Sequence, residues 1–272
     1  MHPHKQGRPL SGGVPDSDDT SGALLALRRL GDADATSIAA AAAGIRWLMG
    51  VQNRDGGIPT FCRGWGTLPF DRSTPEITAH ALQAWSVWYD LVEPGLQNRL
   101  HAASQRALAF LSKSQRSDGS WIPLWFGNEH ARDEGNPVYG TARVLIGLRA
   151  TLIEALPGAA VCRRRAIEFL LRAQNRDGGW GGAPGTPSTV EETGVVLSAL
   201  GRAADDRHAF RNVDDAVARG LLWLTEATTS GSRAAPIGLY FARLWYYEDL
   251  YPLVFGLSGL ASAADRRHTT GD

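Results

Sequence analysis

The sequence predicts an all-α fold in which a ring of buried helices lies inside a ring of amphipathic helices. Three observations support this prediction: a helical repeat that ends in a turn, a more apolar helical repeat that alternates with it, and a large hydrophobic content. The chain has 272 residues, 43% of them hydrophobic, which is enough for one large domain or two small ones. Helix pairs that recur in this way form either an open solenoid or a closed ring.

The first repeat is an amphipathic helix followed by a Gln-Asp-Gly turn. The turn occurs as "QNRDGG" at 52–57, "QRSDGSW" at 115–121 and "QNRDGGW" at 174–180. An aromatic–Leu pair precedes each turn, and a fourth pair, Trp223-Leu224, belongs to a degenerate copy. The segments before the turns have the apolar spacing of a helix, and the glycines are typical of helix ends and turns. Four outer helices are therefore predicted.

The second repeat is a helix that is apolar nearly all round. Four aligned segments have Leu at the fifth position and a small residue at the seventh; they begin at Thr20, Thr78, Thr141 and Thr193. "LVFGLSGL" at 253–260 is a fifth copy without the threonine. Helices of this composition are buried, so five inner helices are predicted. An inner set this apolar favours a closed barrel over an open solenoid.

Titratable residues recur where the predicted inner helices begin. Asp18, Glu76, Tyr139 and Glu191 lie two residues before the aligned threonines, and His80 lies two residues after one of them. In a ring, these positions share one rim and face one central cavity. We therefore expect Asp18, His80 and Tyr139 to converge, although each of them taken singly also fits a packing or capping role.

Three aspartates, Asp16, Asp18 and Asp19, stand together in "VPDSDDTSGAL" at 14–24. Acidic residues at a helix start are favoured as caps and by the helix dipole. A cap needs only one carboxylate, however, so capping alone does not account for all three. Their position at the shared rim favours a functional cluster.

Several of these segments resemble one known family. "PDSDDTS" resembles the Asp-x-Asp-Asp-Thr motif of class II terpene cyclases, specifically of the squalene–hopene cyclase family. The Gln-Asp-Gly-Trp turns, "PEITAHAL", "NPVYGTA" and "DGSWIPLWFGN" resemble further segments of that family. The resemblance extends along residues 14–263 and implies an α/α toroid domain there. Residues 1–13 and 264–272 are expected to be flexible flanking segments.

The resemblance implies an intramolecular transferase (isomerase) of terpenoid and triterpenoid biosynthesis that protonates a linear polyprene and cyclises it through carbocations. It implies that Asp18 is the proton donor and that Asp16 and Asp19 hold its geometry and proton inventory. His80 is expected to bond the aspartates, and Tyr139 to belong to the network that orients them. Clustered carboxylates in a site of low dielectric cannot all ionise, which keeps a proton on one of them.

Aromatic residues are expected to line the substrate cavity, because aromatic rings stabilise cations at their faces. The candidates are Trp125, within "WIPLWFGN" at 121–128, and Tyr240 and Phe241, at the start of an aromatic-rich segment at 240–255. The substrate is expected to be an apolar polyprene such as squalene. No cofactor and no metal are expected, because the motif is that of a Brønsted acid and not of a magnesium-binding class I terpene synthase.

Two other interpretations remain open at this point. The β subunit of protein prenyltransferases shares the toroid, but it needs a zinc site of Asp, Cys and His ligands, and Cys62 and Cys162 belong to no such cluster. The chain is alternatively a non-catalytic toroid fragment, or the partner-binding subunit of a split cyclase. Substitution of Asp18 by Asn separates an enzyme from a scaffold.

The charge balance of the chain and the extent of the family resemblance lead to expectations about its partners and its cellular location. The balance of 28 basic and 28 acidic residues gives no electrostatic basis for binding nucleic acid. No secretory signal is evident, so a cytoplasmic protein is expected, with contact at the inner face of the membrane left open. The resemblance covers only the C-terminal half of the family and implies an incomplete toroid. We therefore expect a partner, either a chain that supplies the N-terminal half or another copy, and little activity of the isolated chain.

Overall fold

The computed structural model describes residues 15–66, 69–201, 212–231, 234–239 and 244–268. Within these ranges the chain is almost entirely helical. The helices are Ser17–Leu30 (α1), Ala35–Val51 (α2), Pro75–Trp88 (α3), Pro94–Ser114 (α4), Pro137–Leu148 (α5), Thr151–Glu154 (α6), Ala159–Ala173 (α7), Val190–Gly201 (α8), Val213–Thr229 (α9) and Leu250–His268 (α10). The strands are Ile58–Pro59 (β1), Ser73–Thr74 (β2), Ile237–Leu239 (β3) and Leu244–Tyr246 (β4), which form two antiparallel pairs, β1 with β2 and β3 with β4.

The helices form the predicted inner and outer layers. The inner helices α1, α3, α5, α8 and α10 pack against one another in chain order, and the outer helices α2, α4, α7 and α9 lie against them. Every residue of α8 is buried. Small residues allow close packing between inner helices: a Cβ on Gly147 of α5 would meet the carbonyl oxygen of Ala79 at 2.6 Å. The predicted all-α toroid, with five inner and four outer helices, is confirmed for the described residues.

The Gln-Asp-Gly turns bind each outer helix to the next one. The side-chain amide of Gln115 donates to the carbonyl oxygen of Gly119 within its own turn, at 2.9 Å, and to that of Cys162 on α7, at 3.1 Å. Gln52 and Gln174 make the equivalent pairs of bonds. The turn glycines share a left-handed backbone, with φ of +94° at Gly119. The turns therefore hold the outer ring together.

The aligned threonines bind the turns to the inner ring. The hydroxyl of Thr78 accepts the N–H of Ile58 at 2.8 Å. Thr141 and Thr193 accept the N–H groups of Trp121 and Trp180 in the same way, at 3.0 and 2.9 Å. The threonine that marks each of these inner helices in the sequence thus makes a structural contact with the preceding turn.

Some features differ from the sequence-based expectation or extend it. The two short hairpins and α6 do not follow from the sequence pattern, because two- and three-residue strands and a four-residue helix leave no measurable periodicity. Helix α10 continues to His268, beyond the domain end expected at residue 263. No helix among the described residues has both the length and the apolar character needed to cross a membrane.

Candidate active site

A cavity of about 210 Å³ lies at the rim where α1, α3 and α5 begin. Carboxyl groups from α1 and α3 face aromatic rings from α5, α10 and the loops. Its lining residues are Asp16, Asp18, Asp19, Thr60, Phe61, Glu76, Ile77, Trp125, Phe126, Tyr139, Tyr246 and Tyr251. The starts of α1, α3 and α5 therefore share one cavity, whereas Glu191, at the equivalent position of α8, is not among its lining residues.

The first of the three aspartates is the helix cap. Asp16 is the N-cap of α1, and its Oδ1 accepts the N–H of Asp19 at 2.6 Å. Next to it, the hydroxyl of Ser17 donates to the carbonyl oxygen of Phe61 at 2.6 Å. This bond ties the start of α1 to the loop that carries Phe61. The carboxyl group of Asp18 is not used to cap the helix.

Asp18 and His80 form a direct pair. Oδ1 of Asp18 lies 2.6 Å from Nδ1 of His80, which is the distance of a short, charge-assisted hydrogen bond. The Asp18 side chain is 53% exposed and that of His80 is 12% exposed. Gly22, one turn along α1, leaves room for the imidazole, since a Cβ added at this glycine would lie 3.8 Å from Cε1 of His80. The bond uses Oδ1 and leaves Oδ2 of Asp18 outside it.

The surroundings of this pair stabilise the carboxylate form of Asp18. Partial burial raises the pKa of Asp18, but the hydrogen bond and charge of His80 and the charge of Arg143 outweigh burial, so that its pKa is lowered. Burial and Arg143 lower the pKa of His80, while the bond to Asp18 opposes them. At neutral pH the pair is therefore a neutral imidazole that donates its Nδ1–H to a carboxylate.

The other two aspartates differ in their environment. Burial raises the pKa of Asp16 to about 6, against the bond from the Asp19 N–H and with added repulsion from the charges of Asp19 and Asp18. Asp19 lines the cavity but is exposed. The cluster thus combines one carboxyl of lowered pKa, that of Asp18, with one of raised pKa, that of Asp16.

Tyr139 lies in the cavity wall but is packed among rings. Its own ring stacks on Phe126 with centroids 4.0 Å apart, and Phe255 meets it edge-on at 6.1 Å. Asn136, the N-cap of α5, accepts its backbone N–H at 3.0 Å. Burial raises the pKa of Tyr139, so the phenol stays neutral and lies in the cavity as a dipole.

The match to a family model decides the family. Residues 12–186 match the model described as the squalene-hopene cyclase C-terminal domain. The chain belongs to this family. The predicted membership in the class II terpene cyclases is thereby confirmed.

Relatives of this cyclase-family chain are longer proteins. It is 31% identical over 256 residues to enfumafungin synthase efuA of Hormonema carpetanum, covering 85% of this chain and 18% of that protein. It is 29% identical over 275 residues to the probable squalene–hopene cyclase of Sinorhizobium fredii, covering 88% and 38%. It is 34% identical over 191 residues to the drimenyl diphosphate synthase of Streptantibioticus cattleyicolor, covering 69% and 31%. The chain thus spans less than two fifths of the length of these curated relatives.

A solved structure has the same fold. The ent-copalyl diphosphate synthase from Streptomyces platensis aligns with a TM-score of 0.66 and 24% identity, over 93% of this chain and 41% of that one.

Aromatic rings form the wall of the cavity opposite the carboxyl groups of the aspartates. Trp125 meets Phe61 edge-on with centroids 4.9 Å apart, and its Nε1 donates to the hydroxyl of Tyr246 at 3.2 Å. Trp125 therefore lies where the sequence led us to expect a cavity residue. The other two expected substrate-binding residues, Tyr240 and Phe241, lie outside the described residues.

Several residues that line this cavity are not among the candidates that the sequence gives. Glu76 has a repeat-equivalent position, but the sequence offers no further reason to place it in the site. Phe61, Phe126 and Tyr251 do not stand out, because single aromatic residues in loops and helix starts fit core packing equally well. The available signal for Glu76 is its alignment with Asp18, and for Tyr251 its place in the aromatic-rich segment.

Proposed function

We propose that this chain carries the acid site of a class II terpene cyclase that protonates and cyclises a linear polyprene, squalene or a similar apolar chain. The observation that carries the proposal is the 2.6 Å bond between Asp18 and His80 at the edge of a cavity with an aromatic wall. The substrate is an unfunctionalised alkene, and the reaction is an isomerisation that begins with proton transfer to carbon.

In the proposed reaction, Asp18 is the acid. An alkene is a very weak base, so the donor must be a strong acid that is protonated at the moment of reaction. His80 holds Oδ1, so the proton sits on Oδ2, and its transfer to the terminal alkene carbon breaks the O–H bond and forms a C–H bond. The hydrogen bond from His80 stabilises the carboxylate that remains.

The aromatic wall serves the carbocation. Phe61, Trp125 and Tyr246 present ring faces or edges beside the acid, and each face offers a cation about 0.5–2 kcal/mol. The same rings cannot act as nucleophilic oxygen donors except for the Tyr246 hydroxyl, which is held by Trp125. The three rings therefore stabilise the cation beside its point of formation.

Squalene is the favoured probe substrate, because the matched family model is named for squalene–hopene cyclisation and a squalene–hopene cyclase is among the relatives. Drimenyl and ent-copalyl diphosphate synthases are also similar in sequence, so shorter prenyl substrates belong in the same assay. We further propose that full activity needs the remainder of a two-domain cyclase, on this protein or on a partner, since the relatives are much longer.

The proposal is tested by incubating the protein with squalene and shorter polyprenyl substrates and analysing extracts for cyclic products. Asp18→Asn is expected to lower product formation by about 10²–10⁴-fold with an unchanged circular dichroism spectrum. Asp34→Asn is the matched control, because Asp34 caps α2 by accepting the N–H of Ser37 at 2.7 Å, away from the cavity lining. Full activity in Asp18→Asn would contradict the proposal.

A further inference from the structure

Three glutamates are buried at the starts of inner helices, and one of them is bonded differently from the other two. Glu76, Glu191 and Glu192 are 3%, 2% and 3% exposed. The Oε2 atoms of Glu76 and Glu191 are buried without a hydrogen-bond partner in the described structure. Both side-chain oxygens of Glu192, in contrast, accept hydrogen bonds. A buried carboxyl group of this kind holds its partners in one geometry, because each broken bond would leave a buried polar atom unsatisfied.

Part of this bonding is a helix cap. The hydroxyl of Thr189, the residue before α8, donates to Oε2 of Glu192 and accepts the backbone N–H of Glu192 at 3.2 Å. The spacing Thr-x-x-Glu is typical of a capping box. The cap uses only Oε2, so it does not account for the bonds that Oε1 accepts.

Oε1 of Glu192 closes the loop between residues 128 and 136. It accepts side-chain N–H groups from Asn128 at 3.3 Å and from Asn136 at 2.7 Å. Both asparagines are buried, at 3% and 0% exposed. Within the loop, the backbone N–H of Asn128 also donates to the carbonyl oxygen of Glu134, at 2.9 Å. One carboxyl oxygen thus ties together the two ends of the loop.

The ends of this loop carry two aromatic rings of the cavity. Phe126 lies just before Asn128, and Tyr139 lies in the first turn of α5, where Oδ1 of Asn136 accepts its backbone N–H at 3.0 Å. The two rings stack with centroids 4.0 Å apart and an interplanar angle of 10°. Both rings line the cavity, whereas Glu192 is not among the described residues that line it. The bonds of Glu192 therefore set the separation of two cavity rings from outside the cavity.

The backbone at Gly182 packs against both ends of the loop. Its carbonyl oxygen accepts the N–H of Val138 at 3.1 Å, and a Cβ added at Gly182 would lie 2.4 Å from the Cβ of Asn128. Close-packed interiors transmit displacements instead of absorbing them. Loss of the Glu192 bonds should therefore reach both rings.

We propose that Glu192 is a positioning residue that holds the stacked rings of Phe126 and Tyr139 against the cationic intermediates and so determines how far ring closure proceeds; this inference rests on the proposed function. Each ring closure moves the positive charge to another carbon atom, and an aromatic face stabilises that charge only at close range. A cation that lacks this stabilisation stops early: a C–H bond beside it breaks, the electron pair of that bond forms a C=C bond, and a water molecule takes the proton.

The first test needs no substrate. Protein labelled with fluorotyrosine is examined by fluorine NMR, and the Tyr139 resonance is assigned by its absence from Tyr139→Phe. Phe126→Leu removes the stacked ring and marks the resonance position of an unstacked Tyr139. Glu192→Ala is expected to move the resonance towards that position. Glu192→Gln is expected to keep it in place, because glutamine retains a carbonyl oxygen for Asn136 and an N–H for the Thr189 hydroxyl.

The control for a general loss of stability is Gln97→Ala. The side chain of Gln97 donates to the carbonyl oxygens of Tyr89 and Val92 at 3.0 and 3.1 Å, just beyond the end of α3 that lies away from the cavity. This variant also loses hydrogen bonds, and urea unfolding measures the stability that each variant loses. Gln97→Ala is expected to leave the Tyr139 resonance and the reaction products unchanged.

The second test uses squalene and measures the ratio of fully cyclised to partially cyclised products. Glu192→Ala is expected to lower this ratio by about tenfold, the effect of one aromatic face lost to the cation, and Glu192→Gln is expected to restore it. If Glu192→Ala does not fold, Glu192→Asp replaces it, because the shorter side chain cannot reach both the Thr189 hydroxyl and Asn136. Glu192→Asp is expected to change the resonance and the product ratio in the same direction.

The outcomes separate the two proposals. If the wild type forms no product, the proposed function fails, and the role of Glu192 in cyclisation fails with it. If the wild type forms product but the Tyr139 resonance or the product ratio is unchanged in Glu192→Ala, only the positioning role is overturned. Failure of Glu192→Gln to restore both, or an equal fall of the ratio in Gln97→Ala, overturns the positioning role as well.

Discussion

At the scale of single residues, the three aspartates at the start of α1 do different work because their surroundings differ. Asp16 accepts the Asp19 N–H and caps the helix, while Asp18 bonds His80 of α3. A hydrogen bond that favours the charged form of one carboxyl, and burial that favours the neutral form of another, separate their acidities. The difference between the two aspartates depends on His80, which lies 62 residues after Asp18 in the chain.

The role of His80 in this division is testable. Replacing His80 with Leu removes the hydrogen-bond donor to Asp18, so the pKa of Asp18 should rise. Each unit of that rise corresponds to a loss of about 1.36 kcal/mol in the stabilisation of the carboxylate. Turnover is expected to fall by about 10²-fold. His80→Asn keeps an N–H donor near the position of Nδ1 and is expected to recover part of the rate. Equal losses in both variants, measured as initial rates on squalene, would contradict a hydrogen-bonding role for His80.

Glu76 should also leave a signature in the pH dependence of stability. Its pKa in the folded protein, about 7, is raised above the ordinary value of 4.5, so the folded state binds the proton more tightly than the unfolded state. The ionised form therefore costs stability, a cost absent below about pH 4.5 that grows as pH rises and is complete above about pH 7. Its size is about 3 kcal/mol.

Chemical denaturation at a series of pH values measures this effect. The free energy of unfolding of Glu76→Gln, relative to wild type, is expected to rise by about 3 kcal/mol between pH 4.5 and pH 8. The comparison with wild type cancels the titration of groups that the substitution leaves unchanged. A difference that is flat across this range would show that Glu76 titrates normally.

At the scale of elements, the turns between the rings explain why the repeat is visible in the sequence. Each turn needs a glycine with positive φ that packs against the next outer helix: Gly119 has φ of +94°, and its Cβ would meet the carbonyl oxygen of Arg165 at 2.3 Å. A residue with a side chain would be strained at this positive φ, and its Cβ would force the backbone to shift. The spacing of glutamine, glycine and tryptophan therefore follows from contacts that recur at the turns.

A pair of substitutions separates the two demands on glycine. Gly158, the N-cap of α7, also has positive φ, at +91°, but a Cβ there meets nothing within 4 Å. Gly158→Ala is expected to cost about 1 kcal/mol from backbone strain alone. Gly119→Ala adds the clash with α7 and is expected to cost about 3 kcal/mol or more. Urea midpoints measure both, and equal losses would mean that the contact with Arg165 relaxes freely.

The same contacts decide how much of the molecule is predictable from sequence. The helices and the shared rim follow from the apolar period and the repeat alignment, because three of the four aligned threonines, Thr78, Thr141 and Thr193, accept the same kind of backbone bond from their turns. The isolation of Glu76 Oε2 and the stacking of Phe126 on Tyr139 do not follow. They depend on loops of irregular length that set the distances between helix starts, and no period in the sequence encodes those lengths.

At the scale of the whole molecule, the last inner helix has two unlike faces. One face of α10 packs on α8, where Gly259 approaches Gly194 and Ser198 donates to Ser258 at 2.9 Å. The other carries a row of exposed apolar side chains at helical spacing, each 56–67% exposed: Leu250, Leu253, Val254 and Leu257. An inner helix of the ring thus presents to solvent a face with the composition of a packing surface, and contiguous apolar surface of this kind promotes association.

This face should govern the association state of the isolated chain. Wild-type protein is expected to associate increasingly with concentration in analytical ultracentrifugation, and Leu253→Glu combined with Leu257→Glu is expected to shift the distribution to monomer by at least tenfold in dissociation constant, or about 1.4 kcal/mol. The double variant removes apolar surface without touching the α8 contact, so its helical content and thermal midpoint should not fall. Leu222→Glu on the outer helix α9, where Leu222 is 63% exposed, controls for added charge and should leave association unchanged. A wild-type chain that stays monomeric at all concentrations, or a control that disperses it equally well, would show that the exposed face of α10 is not what drives association.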